Sequence, residues 1–149
     1  MKNDDYTIKD IKQFTDLWSK TYNAEGKPDW SHILPYYSEK IIFKDSIQEI
    51  HGFAEFKTMV ERLANRSSEL KMEILRAVMD DLIIFIEWEM TILFRKTRSS
   101  TLYGSSRLTL DGNGKIIEQR DYYDLWGDIF DNVPFFKKTY RKFMRRFFG

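Results

Sequence analysis

A chain of 149 residues, 42% hydrophobic and 16% aromatic, is long enough to bury about two thirds of its unfolded surface in one domain spanning 1–149, and seven Gly and three Pro exclude a collagenous or disordered chain. The absence of Cys excludes disulfides and thiol-based metal or redox chemistry. No apolar run approaches the roughly 20 residues of a spanning helix and the opening M-K-N-D-D-Y-T lacks a signal-peptide core, so a soluble, cytoplasmic protein is expected. The net charge of +1 hides an asymmetry: residues 132–149 carry Lys137, Lys138, Arg141, Lys142, Arg145 and Arg146 with no acid, which makes this segment +6 and the remainder −5.

In chain order, Thr7-Ile8-Lys9-Asp10 reads as a capping box ahead of Ile8, Ile11, Phe14, Leu17, Trp18 and Tyr22, whose helical spacing predicts an amphipathic helix ending within 23–28. A second, shorter helix is expected from Asp29 toward Ser38, with Trp30, Ile33, Leu34 and Tyr37 as its apolar side and Pro35 as its weak point. Ile41-Ile42-Phe43 forms a brief strand leading to Asp45. Gly52 then opens a third helix whose Phe53, Phe56, Met59, Val60 and Leu63 share one face.

From Glu69 the period changes to two. Segments 69–79, 82–94, 101–110 and 115–123 predict four long strands, joined by Asp80-Asp81, by 96–100 and by the hairpin D-G-N-G at 111–114. Connections this short imply antiparallel neighbours, and helices followed by such a meander give an α+β fold. Ile84, Ile86, Trp88, Met90, Ile92 and Phe94 make one apolar face of the second long strand; Leu102, Gly104, Ser106, Leu108 and Leu110 answer it on the third. In the last strand Ile116, Glu118, Arg120, Tyr122 and Asp124 form a charged row, which sends Ile117, Gln119, Asp121 and Tyr123 inward. An inward carboxylate at Asp121 is therefore either a structural acid bonded to a neighbour such as Tyr37 or Ser106, or the acid of a pocket. Asp45, at the end of the first strand, is likewise either a turn residue or a catalytic acid. His32 and His51 have no partner at metal-ligand spacing, so no metal is expected, and G-N-G at 112–114 is a hairpin turn with no helix behind it and not a phosphate loop; no cofactor is expected.

At 100° per residue, Phe136, Tyr140, Phe143, Met144 and Phe147 cover one arc of the tail and the six basic residues cover the rest. That predicts a basic amphipathic C-terminal helix. It would either fold onto its own body or a partner subunit, or contact an anionic membrane or nucleic acid.

The order of elements, with F-K-D at 43–45, I-F-I-E-W-E-M at 84–90 and G-K-I-I-E-Q-R-D-Y-Y-D-L-W at 114–126, resembles the nuclear transport factor two-like superfamily, in particular its SnoaL-like, ketosteroid isomerase-like and limonene epoxide hydrolase-like branches. The resemblance, which covers the chain to about residue 130, implies a cone: a strongly curved antiparallel sheet around three helices, a small-molecule pocket at the open end, and a homodimer formed through the outer sheet face. Glu87, Glu89, Tyr103, Arg107, Arg120 and Tyr122 would form that outer face. It also implies that Asp45 stands where ketosteroid isomerases hold their general base, with Ser106 at the position of their oxyanion-hole Asp and Phe14 and Trp18 in the region of their Tyr. Asp121 falls on one carboxylate of the epoxide hydrolases' Asp-Arg-Asp site, while Trp88 and Met90 replace its other two members. The expected site thus has Asp45 and Asp121 as its acids and Phe43, Trp88, Met90, Ser106, Leu108 and Tyr123 as its lining. Two functions remain open: binding of a small apolar molecule, with isomerase, cyclase or hydrolase chemistry by a carboxylate base, or a non-catalytic scaffold whose basic helix contacts a membrane, nucleic acid or protein.

Overall fold

In the computed structural model, which describes residues 6–22, 28–94, 100–129 and 135–149, the first helix begins one turn later than the Thr7 capping box predicts. Helix α1 spans Ile11–Tyr22 because Asp10, not Thr7, caps it: Asp10 Oδ1 accepts the Gln13 backbone N–H at 2.8 Å. The Gln13 side chain reaches back past Asp10 to accept the Lys9 N–H at 2.8 Å, so Asp10 and Gln13 together satisfy donors at the helix start. Ile8 is left outside the helix. Its N–H donates to the Gly114 carbonyl at 2.8 Å, and its side chain is buried against the hairpin that closes the narrow end of the fold. Gly114 is required there, since its φ is +77° and an added Cβ would lie 2.8 Å from the Ile8 carbonyl oxygen.

The expected second helix shrinks to a turn. Trp30 C=O accepts the N–H groups of Ile33 and Leu34, a single 3₁₀ turn follows at Leu34–Tyr36, and Tyr37 is already extended at the start of a strand. Pro35 has no N–H to offer the carbonyl four residues back, so nothing extends the turn into a helix. The N-terminal part of the cone therefore has two α-helices and this turn. Helix α2, Phe53–Arg66, starts behind Gly52, whose φ of +91° and N–H bond to the Ile41 carbonyl hold the corner. It packs Phe56 and Val60 into the core.

Six strands make one curved, unclosed sheet: β1 Tyr37–Lys44, β2 Glu49–His51, β3 Ser67–Asp80, β4 Ile83–Phe94, β5 Ser100–Leu110 and β6 Ile116–Tyr123, in the order β2-β1-β6-β5-β4-β3. β3 to β6 form the expected antiparallel meander. β1 adds to it in parallel, on the free edge of β6, and β2 pairs with β1; neither the parallel pairing nor β2 was evident in the sequence. A parallel neighbour needs a long crossover, and the whole segment between β1 and β6 supplies it. The mixed α+β architecture and a C-terminal helix, α3 at Phe136–Phe148, agree with expectation. The expected connection at 96–100 falls, save Ser100, outside the described residues.

The inward faces of β4 and β5 bury Ile84, Ile86, Trp88, Ile92, Leu102, Ser106, Leu108 and Leu110, as strict alternation predicts. β6 departs from it at one point. The register with β5 runs Thr109 with Glu118 and then Leu110 with Ile116, so Ile117 is the extra residue of a bulge. Ile116, expected on the charged outer row, is consequently turned inward and is fully buried among the residues of the narrow end. Truncation tests this register: Ile116→Ala should lower unfolding free energy by about 3 kcal/mol in a urea titration, and a loss under about 1 kcal/mol would place the side chain outside the core.

Candidate functional site

At the wide end the sheet's concave face is not filled. A cavity of about 350 Å³ lies between β1, β4, β5 and β6 on one side and α1 and α2 on the other. Phe43, Trp88, Met90, Ile92, Leu102, Phe56, Met59, Val60 and Leu63 make its apolar wall, and both Asp45 and Asp121 line it. Alternation brings Phe43, Trp88, Met90, Asp121 and Tyr123 to one concave face. The parallel pairing of β1 with β6 adds Asp45.

Asp121 is held by a directed chain of hydrogen bonds. Trp88 Nε1–H donates to Ser106 Oγ at 2.9 Å, and Ser106 Oγ–H donates to Asp121 Oδ1 at 2.6 Å. From the other side Tyr37 O–H donates to Gln119 Oε1 at 2.6 Å, and Gln119 Nε2 donates to Asp121 Oδ1 at 3.0 Å and to Oδ2 at 3.3 Å. Both chains end in a donor to the carboxylate, Ser106 from one side and Gln119 from the other, an arrangement that suits its ionised form. Burial acts against it and wins, pushing the Asp121 pKa up to about 6, with the Ser106 and Gln119 bonds opposing and the charge of Asp45 adding to the rise. Among the described residues Oδ2 has only the longer Gln119 contact, which leaves it the freer oxygen.

Asp45 is differently employed. Its Oδ1 accepts the backbone N–H groups of Ile47 and Gln48, both at 2.8 Å, and so closes the turn between β1 and β2. Its Oδ2 accepts Tyr123 O–H at 3.2 Å. Burial first, then the neighbouring Asp45 charge and this bond, raise the Tyr123 pKa well above the ordinary phenol range.

Two expected lining residues stand behind the wall. Ser106 is fully buried between Trp88 and Asp121, where its hydroxyl links them, and Leu108 is fully buried in the core layer opposite Gln119. Alternation correctly turns both inward, but the cone narrows toward them and packed side chains fill it there. Gly104, across from Trp88, lets the indole lie flat on the sheet: an added Cβ would come within 2.5 Å of the ring.

Of the lining residues that the sequence did not assign to the site, two bear on the acid most directly. Gln119 appeared only as a member of the inward row, although its place two residues from Asp121 on the same face was legible. Tyr22, at the last turn of α1, was assigned to the core stripe one turn after Trp18. It is fixed between Trp18 and Trp30, with ring centroids at 5.6 and 5.1 Å, and lines the cavity. Its hydroxyl makes no hydrogen bond among the described residues, and burial, with the Asp121 charge adding, raises its pKa well above the ordinary phenol range. At the rim, Arg62 and Arg66 stand one helical turn apart on α2, exposed and without an acidic partner among the described residues. Among the described residues no group of three or more His, Cys, Asp or Glu side chains could hold a metal ion. His32 Nε2 lies 3.1 Å from Thr21 Oγ1 and 3.0 Å from the Leu17 carbonyl oxygen, packed at the end of α1.

The sequence pattern of the SnoaL-like domain matches residues 18–119. Among solved structures, an epoxide hydrolase of Mycobacterium tuberculosis similar to limonene epoxide hydrolase superposes with a TM-score of 0.66 at 17% identity, covering 83% of this chain and 90% of that one. A Catenulispora acidiphila protein with a ketosteroid isomerase-like fold, bound to trimethylamine, gives 0.70 at 12% identity, over 83% and 94% of the two chains. A Shewanella denitrificans protein assigned as a SnoaL-like polyketide cyclase gives 0.68 at 15% identity, over 82% and 95%. At these identities the likeness is one of fold. No curated protein matches the chain.

The raised pKa of Asp121 has a direct consequence for stability. An acid whose folded pKa exceeds its ordinary 3.8 holds its proton more tightly in the folded state, so ionisation penalises the fold above about pH 6, and the penalty lifts as pH falls from 6 toward 4. Asp121→Asn does not titrate. Its stability relative to the parent should therefore be most favourable above about pH 7 and decline by on the order of 2 kcal/mol as pH falls to about 4, measured by urea unfolding at each pH. A difference independent of pH would refute a raised pKa.

Proposed function

Because the chain belongs to the SnoaL-like domain family, we propose that its conical cavity binds a small, largely apolar carbonyl compound and that Asp121 acts on it as a general base. The observation that carries this reading is a carboxylate lining a largely apolar cavity, held by Ser106 and Gln119 through Oδ1 with Oδ2 less engaged; burial there pushes its pKa up to about 6, so that it is mostly ionised at neutral pH and basic enough to accept a proton. The proposed step is abstraction of a proton from the carbon next to the carbonyl. The C–H electron pair moves to form the enolate, the proton goes to Asp121 Oδ2, and negative charge develops on the carbonyl oxygen. Tyr22, a protonated phenol with no partner of its own among the described residues, supplies the hydrogen bond to that oxygen. Reprotonation at another carbon gives an isomerase; attack of the enolate on a second carbonyl gives a cyclase.

The concerted opening of an epoxide receives less support, because Trp88 and Met90 offer neither the guanidinium nor the second carboxylate that this chemistry uses. Asp45 acts in this scheme as a positioning residue: with one oxygen committed to its turn, it orients Tyr123 against the ligand. Arg62 and Arg66 at the rim favour a ligand with an acidic substituent at its outer end. The working form we infer is a homodimer through the outer sheet face, where Val78, Phe85, Tyr103 and Tyr122 are exposed together and Arg120 lies over the Tyr122 ring.

Two measurements test these proposals. A thermal-shift screen of terpenoid, steroid and polyketide-like ketones selects a ligand, and mass spectrometry in D₂O then follows deuterium uptake next to its carbonyl. Uptake should rise with pH through about 6 and level off; Asp121→Asn should slow it by roughly a hundredfold or more, and Tyr22→Phe by a comparable factor. Unchanged uptake in Asp121→Asn would end the general-base assignment. For the dimer, light scattering of Phe85→Glu should give the monomer mass where the parent gives twice that mass, and a monomeric parent would disprove the dimer.

A further inference from the structure

Helix α3 poses a problem that the cavity does not solve. Its first turns have a place, since Trp126 stacks on Phe136 and Tyr140 with ring centroids at 5.6 and 5.5 Å. Beyond Tyr140 the apolar arc is largely open among the described residues, with Met144 alone half-buried. Phe143 and Phe147 lie 4.8 Å apart by ring centroids and are 52% and 62% exposed, Phe148 is 75% exposed, and no residue of the helix is buried. Large phenyl rings clustered in water mark a contact surface. The opposite face carries all six basic side chains of the helix and no acid, and among the described residues no acid pairs with Lys138, Lys142, Arg145 or Arg146.

We propose that the outer half of α3 lies in the headgroup region of an anionic lipid bilayer, with Phe143 and Phe147 inserted among the acyl chains and the flanking Lys and Arg side chains on anionic headgroups. The charge pattern selects this occupant. A nucleic acid would meet the basic arc but leave the phenyl rings in water, and so would the acidic body of the chain. A second α3 would cover the rings but bring two highly positive helices together. A bilayer surface takes both faces at once, because basic side chains flanking the apolar arc reach the phosphate level while the rings sit just beneath it. Among the described residues no helix is long and apolar enough to cross a membrane, so the contact is with the surface.

The test is co-sedimentation of the full chain with vesicles of phosphatidylcholine alone and of phosphatidylcholine with about 30% phosphatidylserine, at low and high salt. Binding should require phosphatidylserine and weaken with salt. Lys138→Gln with Lys142→Gln should weaken it by roughly tenfold or more, and Phe143→Ser with Phe147→Ser should weaken it at least as much. All four side chains are exposed or flank the exposed arc, so both variants should keep the parent melting temperature. Equal binding to both vesicle types, or none, would overturn the proposal. So would binding to a DNA duplex that survives loss of both phenyl rings without any vesicle binding, which would assign the helix to nucleic acid. A fall in molar mass on Phe143→Ser with Phe147→Ser, again without vesicle binding, would assign it to a second copy.

Discussion

Keeping a carboxylate inside an apolar cone is the constraint on which the arrangement of this protein turns. An unpaired charge there would neutralise itself or unfold the sheet, and among the described residues no cation forms an ion pair with Asp121. The fold answers with neutral dipoles instead of an opposite charge. Ser106 and Gln119 aim donors at the carboxylate, and each is itself oriented by a further donor, Trp88 or Tyr37. Dipoles soften the cost of burial without cancelling it, so the acid ends with a pKa near 6, where a salt bridge would have lowered it. A carboxylate so held is charged at neutral pH and still basic enough to exchange a proton.

The same network shapes the cavity. Trp88 reaches Ser106 with its indole N–H only by lying flat across β5, and it lies flat only because position 104 is glycine. Its ring is thereby both a wall of the cavity and the outermost donor to the site. At the narrow end the bulge at Ile117 turns Ile116 inward, and that residue joins Ile8, Phe14 and Leu110 in a filled core. The cone is solid below Ser106 and open above it, and the boundary between the two is the layer that holds Asp121.

The two acids that share the cavity differ in what the backbone asks of them. Asp45 spends one oxygen on the turn that reverses β1 into β2, and its other receives Tyr123. Among the described residues Asp121 has no backbone partner, and its hydrogen bonds come from Ser106 and Gln119 side chains. An acid released from local duty can serve a ligand, whereas one that holds a turn serves it best by orienting a neighbour. Tyr22 completes the contrast, a phenol placed by aromatic packing whose hydroxyl makes no hydrogen bond among the described residues.

Much of this was legible in the residues. Four strands with period-two alternation specify which side chains face inward, so Trp88, Met90, Ser106, Asp121 and Tyr123 could be placed on one surface from the sequence alone, and the segregated arcs of 136–148 specify an amphipathic helix. These are local properties, decided by the geometry of a single element. What lay beyond local reach was every feature that depends on how elements meet. Only the tertiary structure decided that Asp10 and not Thr7 caps α1, that Pro35 leaves a turn where a helix was expected, and that a bulge reverses Ile116. Only it decided that the cone closes in front of Ser106 and Leu108 but not in front of Asp121, and that Tyr22 borders the same space. Alternation determines the face on which a side chain lies; the depth at which the cone fills, and hence which inward residue touches a cavity, follows from the packing of helices into a curved sheet, and no single strand encodes that.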